Sequence, residues 1–192
     1  MPTWETGYTG HTIEQELFGE NVKAERAERG EEYIQYQRAL ENVKRFQTES
    51  GIPYPPAKPD KSHYPVAYGL HREVAEQLGL TPEDLKQGKL KLYSALRTIF
   101  DKKHGVDVLL ELETAEGQLI HVTLDVTNNP DKATRKNKAD ITMKVAEDGY
   151  DYDDPEDQRK IQELIESYGE EIAQQFQIRK LNIQSTKSKK VA

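Results

Sequence analysis

Three features of the 192-residue chain predict an α/β (α+β) domain, a small mixed sheet with flanking helices in helix-strand-strand-strand-helix-strand order, plus an N-terminal helical extension. Segments 106–113 and 119–127 alternate apolar and polar residues around a tight turn, the signature of a β-hairpin. A shorter alternation, Ile141, Met143 and Val145 against Thr142 and Lys144, adds a third strand. Stretches rich in Glu, Gln, Ala and Lys, with apolar residues at helical spacing, stand on both sides of these strands.

From residue 12 to about 48 there is no Pro, and Ile13, Leu17, Tyr33, Ile34, Tyr36, Leu40, Val43 and Phe46 recur at helical intervals. Thr12 with Gln15 matches a capping box, while Gly19 and Gly30 interrupt the pattern, so two helices or one kinked helix are expected. Residues 1–50 form the helical extension, packed on the domain or on a protein partner. Five Pro between residues 51 and 65 exclude helix and central strand, which makes 51–66 a linker or a strap laid over the core. The core domain is placed at 67–184. A short helix at 70–78 ends at Gly79, and Thr81 caps another that has Pro82 in its first turn. Segment 70–87 is similar to the centre of a helix-turn-helix DNA-binding unit, although Glu83 and Asp84 near the start of its second helix would repel phosphate. Residues 89–105, through Leu92, Leu96, Ile99 and Phe100, read as an amphipathic helix.

The hairpin turns at Ala115-Glu116-Gly117, with Gly where a left-handed residue is needed. Thr114 then pairs with Gln118, and counting back sets Val106 against Val126, Val108 against Leu124, Leu110 against Val122 and Leu112 against Ile120. The same register puts Glu111 across from His121 and Asp107 across from Asp125, at about 4.5–5.5 Å between Cβ atoms. Opposed carboxylates are unfavourable unless compensated. An oxygen-only pair suits Mg²⁺, Ca²⁺ or Mn²⁺ better than Zn²⁺; the alternatives are that both face water or that a Lys or Arg neutralises them.

Beyond the second strand, Asn128-Asn129-Pro130-Asp131 reads as a turn, and Lys132, Arg135, Lys136 and Lys138 form a basic segment. The acidic loop at 148–157 lacks the EF-hand spacing and reads as a solvated loop preceding a helix over 155–176. A fourth strand is expected at 177–183 and a mobile basic tail at 185–192.

With 35% hydrophobic and 32% charged residues and a mean hydropathy of -0.88, much of the chain is solvated surface. The absence of Cys excludes disulfides, thiolate zinc sites and a Cys nucleophile. No apolar run approaches about 18 residues and no signal peptide is recognisable, so a cytoplasmic protein without a membrane span is expected. The net charge of -7 is segregated: residues 147–178 carry eleven acidic and two basic side chains, and the end from Arg179 carries five basic and none acidic. A pI near 5.4 counts against a dedicated DNA coat protein or repressor. Neither a P-loop nor a GxGxxG is present.

From residue 89 to about 183, the element order, Asp107 on one hairpin strand and Asp125-Val126-Thr127 on the other resemble the core of the PD-(D/E)XK nuclease superfamily. The resemblance implies Mg²⁺ held by Asp107 and Asp125, and hydrolysis of DNA phosphodiesters by a metal-bound water. Thr127 stands where that family has Lys. The missing cation is either relocated to Lys132, Lys136 or Lys138, or the fold is kept without its chemistry. Lys132, Arg135, Lys136 and Lys138 would contact DNA phosphates. Glu111 lies four strand positions from Asp107, about 13 Å, and so pairs with His121 rather than with the metal; His121 is then a surface His or, alternatively, a general base. The other reading of the chain is a noncatalytic interaction or assembly protein, from a mobile element or a multisubunit complex, that binds protein partners through its N-terminal helices.

Overall fold

The computed structural model describes residues 10–129 and 139–190. Five helices come first: α1 (Gly10–Phe18), α2 (Val22–Ala27), α3 (Tyr36–Ser50), α4 (Pro65–Gln77) and α5 (Pro82–Lys86). Then follow β1 (Leu90–Ser94), α6 (Ile99–His104), β2 (Val108–Glu113), β3 (Leu119–Thr127), β4 (Ile141–Lys144) and α7 (Pro155–Lys190). The strands form one sheet in the order β1-β2-β3-β4, antiparallel except for the parallel β3–β4 pair. A mixed sheet with flanking helices and N-terminal helices is therefore the architecture, as the alternation patterns predict.

Two segments differ from expectation. Residues 89–105 are not one helix: Leu90–Ser94 is β1, and only Ile99–His104 is helical. Leu90 and Leu92 face one apolar cluster and Tyr93 the other, so period 2 wins once β2 offers a hydrogen-bonding edge from Val108 to Leu112. Thr98 starts α6 by accepting the Phe100 and Asp101 N–H groups. Residues 177–183 are not a strand either. Extending a formed helix costs little, no Gly or Pro follows Phe176, and α7 runs on through the expected strand and into the basic tail to Lys190. The helix-turn-helix resemblance ends at α5: five residues rise about 7.5 Å, short of a recognition helix. Its Thr81–Asp84 capping box makes it a corner instead.

The sheet is covered on both faces. Ile13 and Leu17 of α1, Leu70 and Val74 of α4, and Ile165 and Ile172 of α7 pack with Leu110, Val122 and Leu124 on one side. On the other, Leu40 and Val43 of α3 and Phe100 of α6 pack with Tyr93 and Leu109. Ile13, Leu17, Ile34, Leu40 and Val43 of the N-terminal stripes are thus buried inside the domain, while Tyr33 and Tyr36 stay exposed. The Pro-rich strap lies along the outer edge of β1, where the Leu92 N–H donates to Pro56 O at 2.9 Å and Gln47 Nε2 donates to Tyr54 O at 3.1 Å. An otherwise open sheet edge is covered. Among the described residues no helix is long and apolar enough to cross a membrane.

Helices α4 and α7 approach through glycines. A Cβ on Gly169 would stand 2.3 Å from Glu73 Cγ and 2.8 Å from its Cβ. Gly169→Ala should therefore lower stability by about 1–2 kcal/mol in urea titrations, because the overlap outweighs a helix-propensity gain of about 1 kcal/mol. A stabilised variant would mean that the helices separate freely.

Candidate functional site

The β2–β3 ladder follows the expected register from Glu113↔Leu119 to Val108↔Leu124, including Glu111↔His121. It stops there, and the expected pairs Val106–Val126 and Asp107–Asp125 are not made. The Asp107 N–H donates to Leu124 O at 2.8 Å, the carbonyl of Val108's own partner, so the chain slips by one residue. Val106 consequently joins the α3-side cluster instead of lying beside Val108. The Val126 N–H, which Val106 O would have accepted, donates to Asp107 Oδ2 at 2.6 Å. A bulge-like slip of this kind turns a side chain into a backbone partner and re-aims it at the strand end.

Neither carboxylate faces open water: Asp107 is 4% and Asp125 6% exposed. Burial pushes the Asp107 carboxyl well above its ordinary value, and the carboxylates of Glu14 on α1, Asp101 on α6 and Asp125 on β3 push it further; the Val126 N–H opposes them. Asp101 is raised by its own burial and shares a hydrogen bond with Asp107. Four carboxyl groups from four elements therefore converge where β2 begins. Glu14 and Asp101 were missed by sequence reasoning, since each lies on a helix read separately from the hairpin.

Arg97 holds one wall of this corner. Its φ of 70 is rare for a residue with a side chain. Asp101 Oδ2 accepts the Arg97 N–H at 2.8 Å, while the guanidinium meets Glu20 at 2.9 Å and Glu25 at 3.4 Å. Its charge is thereby directed to the outer glutamates.

Thr127 is 5% exposed and pairs in register with Lys144 of β4. Asp125 pairs likewise with Thr142, so Lys144 rises from the same sheet face one step further along. Lys132, Arg135, Lys136 and Lys138 lie outside the described residues.

The other end of the hairpin holds a different arrangement. Glu111, 2% exposed, is met by Lys44 Nζ of α3 at 2.5 Å, His121 Nε2 at 2.9 Å, Lys91 Nζ at 3.5 Å and the Tyr93 hydroxyl at 3.4 Å. Burial alone would raise its carboxyl, but hydrogen bonds from His121 and Lys44 and the two lysine charges outweigh it and bring the pKa down to about 2. Glu111 pairs with His121, as the register predicts, in a network that pins α3 to the sheet. In the acidic loop, Asp157 accepts the Asp151 N–H and Asp154 the Glu156 N–H, so these carboxylates serve turn and helix start.

Among the described residues no three His, Asp or Glu side chains are grouped so as to hold a metal ion. Oxygen donors at Asp107 and Asp125 instead suit a hard cation such as Mg²⁺, which binds through one or two carboxylates and takes its remaining ligands from water and phosphate. The raised Asp107 carboxyl, held in a field of three others, is the feature that such a charge would relieve. No protein-family model, curated protein or solved structure matches the chain.

Proposed function

We propose that this chain is a nuclease-like domain of the PD-(D/E)XK type that acts on DNA phosphodiesters with Mg²⁺. The observation carrying the reading is the convergence of Asp107, whose carboxyl is raised by burial and by its neighbours, with Asp125, Asp101 and Glu14 at the start of β2. A buried carboxyl that desolvation and neighbouring carboxylates raise together, at the end of a strand, is the kind of perturbed group found at functional sites.

Asp107 and Asp125 would hold the metal, which supplies an activated water and neutralises charge on the phosphate. The chain's own contributions are positional. The Val126 N–H fixes one Asp107 oxygen, and Asp101, oriented by the Arg97 N–H, lies against Asp107. Lys144, beside Thr127 in register, is the described residue suited to stabilise charge developing on the phosphate.

Titrating Mg²⁺ and Mn²⁺ into wild type and Asp125→Asn, while following thermal stability and cleavage of duplex, single-stranded and branched DNA, tests this. Wild type should be stabilised and should cleave, Asp125→Asn should lose both, and Lys144→Ala should keep the stabilisation but lose at least about tenfold in cleavage rate. Absence of any cation response in wild type would sink the reading and favour the noncatalytic alternative. That alternative has its own support in Ile178 and Leu181, exposed at 51% and 61% one turn apart on α7.

A further inference from the structure

A cleft of about 480 Å³ opens between the strap, α4 and α5. It lies by Leu90, at the start of β1, whereas Asp107 sits by Ala95 at the other end, about 16 Å along the strand. Its construction is firm: the strap is tied to β1 through Pro56 O, and Gly88, with φ of 72, turns the chain from α5 into β1 next to Ala57 of the strap. Volumes of roughly 300–1,000 Å³ are those of small-ligand sites.

The lining divides by chemistry. Pro59, Tyr68, Pro82 and Leu85 give flat apolar and aromatic surface. Lys58 from the strap, Arg72 from α4 and Lys86 from α5 bring a cation from each wall. Among the described residues Lys58 and Arg72 have no ion-pair partner, and Lys86 meets only Glu83, at 3.5 Å with both side chains largely exposed. Three cations facing one solvated carboxylate make an anion-attracting rim. His71, 3% exposed, lies at the floor with Nε2 3.0 Å from Leu90 O. A carbonyl only accepts, so Nε2 carries the proton, and in the neutral ring that burial favours, Nδ1 is left as an acceptor.

We propose that this cleft binds a nucleoside phosphate, with the base against Tyr68 and the prolines and the phosphate on Arg72, Lys58 and Lys86. A bare anion would make no use of the apolar wall, and a neutral aromatic would make no use of the rim. Arg72 supplies the planar fork that suits a phosphate. Because the site is remote from Asp107, it stands or falls independently of the nuclease reading. The nucleotide is either free or the 5′-phosphorylated end of a strand.

Calorimetric titration of the full chain with AMP, adenosine, inorganic phosphate and a 5′-phosphorylated trinucleotide tests it, beside Arg72→Ala and Asp107→Asn. AMP or the trinucleotide should bind with a Kd on the order of 10–100 μM, at least about tenfold tighter than adenosine or phosphate alone. Arg72→Ala, at an exposed side chain, should weaken binding about tenfold without shifting Tm, and Asp107→Asn should leave it unchanged. Tighter binding of the trinucleotide than of AMP assigns the site to strand ends; binding of AMP alone assigns it to free nucleotide. No binding of either, equal affinity for AMP and phosphate, or an unaltered affinity in Arg72→Ala overturns the proposal.

Discussion

Asp107→Asn should make the protein more stable at pH 8, by about 1–2 kcal/mol, and leave stability near pH 4 almost unchanged. In the fold, burial and the carboxylates of Glu14, Asp101 and Asp125 raise the Asp107 carboxyl well above its ordinary value. In the unfolded chain it titrates near 3.9. A group raised on folding contributes stability that is fully present below the unfolded pKa and is lost as pH rises through the folded one. Wild type has therefore given up part of that contribution at pH 8. Asn does not ionise, and its Oδ1 can still accept the Val126 N–H that Asp107 Oδ2 accepts at 2.6 Å. Urea titrations at pH 4, 6 and 8 should show a gap between the two proteins that widens with pH. A variant less stable than wild type at pH 8 would mean that the carboxylate is ionised and compensated.

Divalent cation should reverse this order. An ion that binds only the native state adds about 2.7 kcal/mol at a hundredfold excess over its Kd, enough to lift wild type above Asp107→Asn. The gain from the substitution without metal comes from burial and repulsion together, which a purely structural carboxylate can also show; the loss of the metal response is what such a carboxylate would not show.

The hairpin register was legible because Val108, Leu110 and Leu112 can face Leu124, Val122 and Ile120 in only one alignment that keeps every apolar residue inside. What happens at Asp107 was not, because a one-residue slip leaves no mark on an alternating sequence and is fixed by what the next segment packs against. Val106 reads as a continuation of the Val108 face, yet it is buried against α3 and α6. β1 was hidden by a coincidence of periods: Leu92, Leu96, Ile99 and Phe100 fit a helix stripe, while Leu90, Leu92 and Tyr93 fit a strand buried on both faces. Leu109, an apolar residue on the nominally polar face, was the local sign that α3 covers that face. The carboxyl cluster was half visible. Asp107 and Asp125 follow from the hairpin, whereas Glu14 and Asp101 are brought there by the packing of α1 and α6.

Lys44→Met should cost about 3 kcal/mol at pH 7, the largest destabilisation expected of any single substitution proposed for this chain. Met keeps the aliphatic stem and removes only the charge 2.5 Å from Glu111, whose side chain is 3% exposed. Glu111 is then left with His121 and the more distant Lys91. The pH dependence follows from the depression of the Glu111 pKa to about 2. A carboxyl lowered on folding stabilises above its unfolded pKa of about 4.3, and that contribution disappears as pH falls through the folded value. The penalty of Lys44→Met should thus be full at pH 6–7 and shrink between about pH 4.5 and 2. Adding Glu111→Gln to Lys44→Met should recover part of the loss by removing the stranded charge, whereas additive penalties would deny the pairing. Because Glu111 lies about 13 Å along the strand from Asp107, Lys44→Met should also leave the Mg²⁺ response unchanged, while Asp125→Asn abolishes it. The buried acidic residues of this hairpin would then be separated by experiment as they are by chemistry: Glu111, surrounded by cations, holds α3 in place, and Asp107, beside the carboxylates of Glu14, Asp101 and Asp125, responds to an added cation.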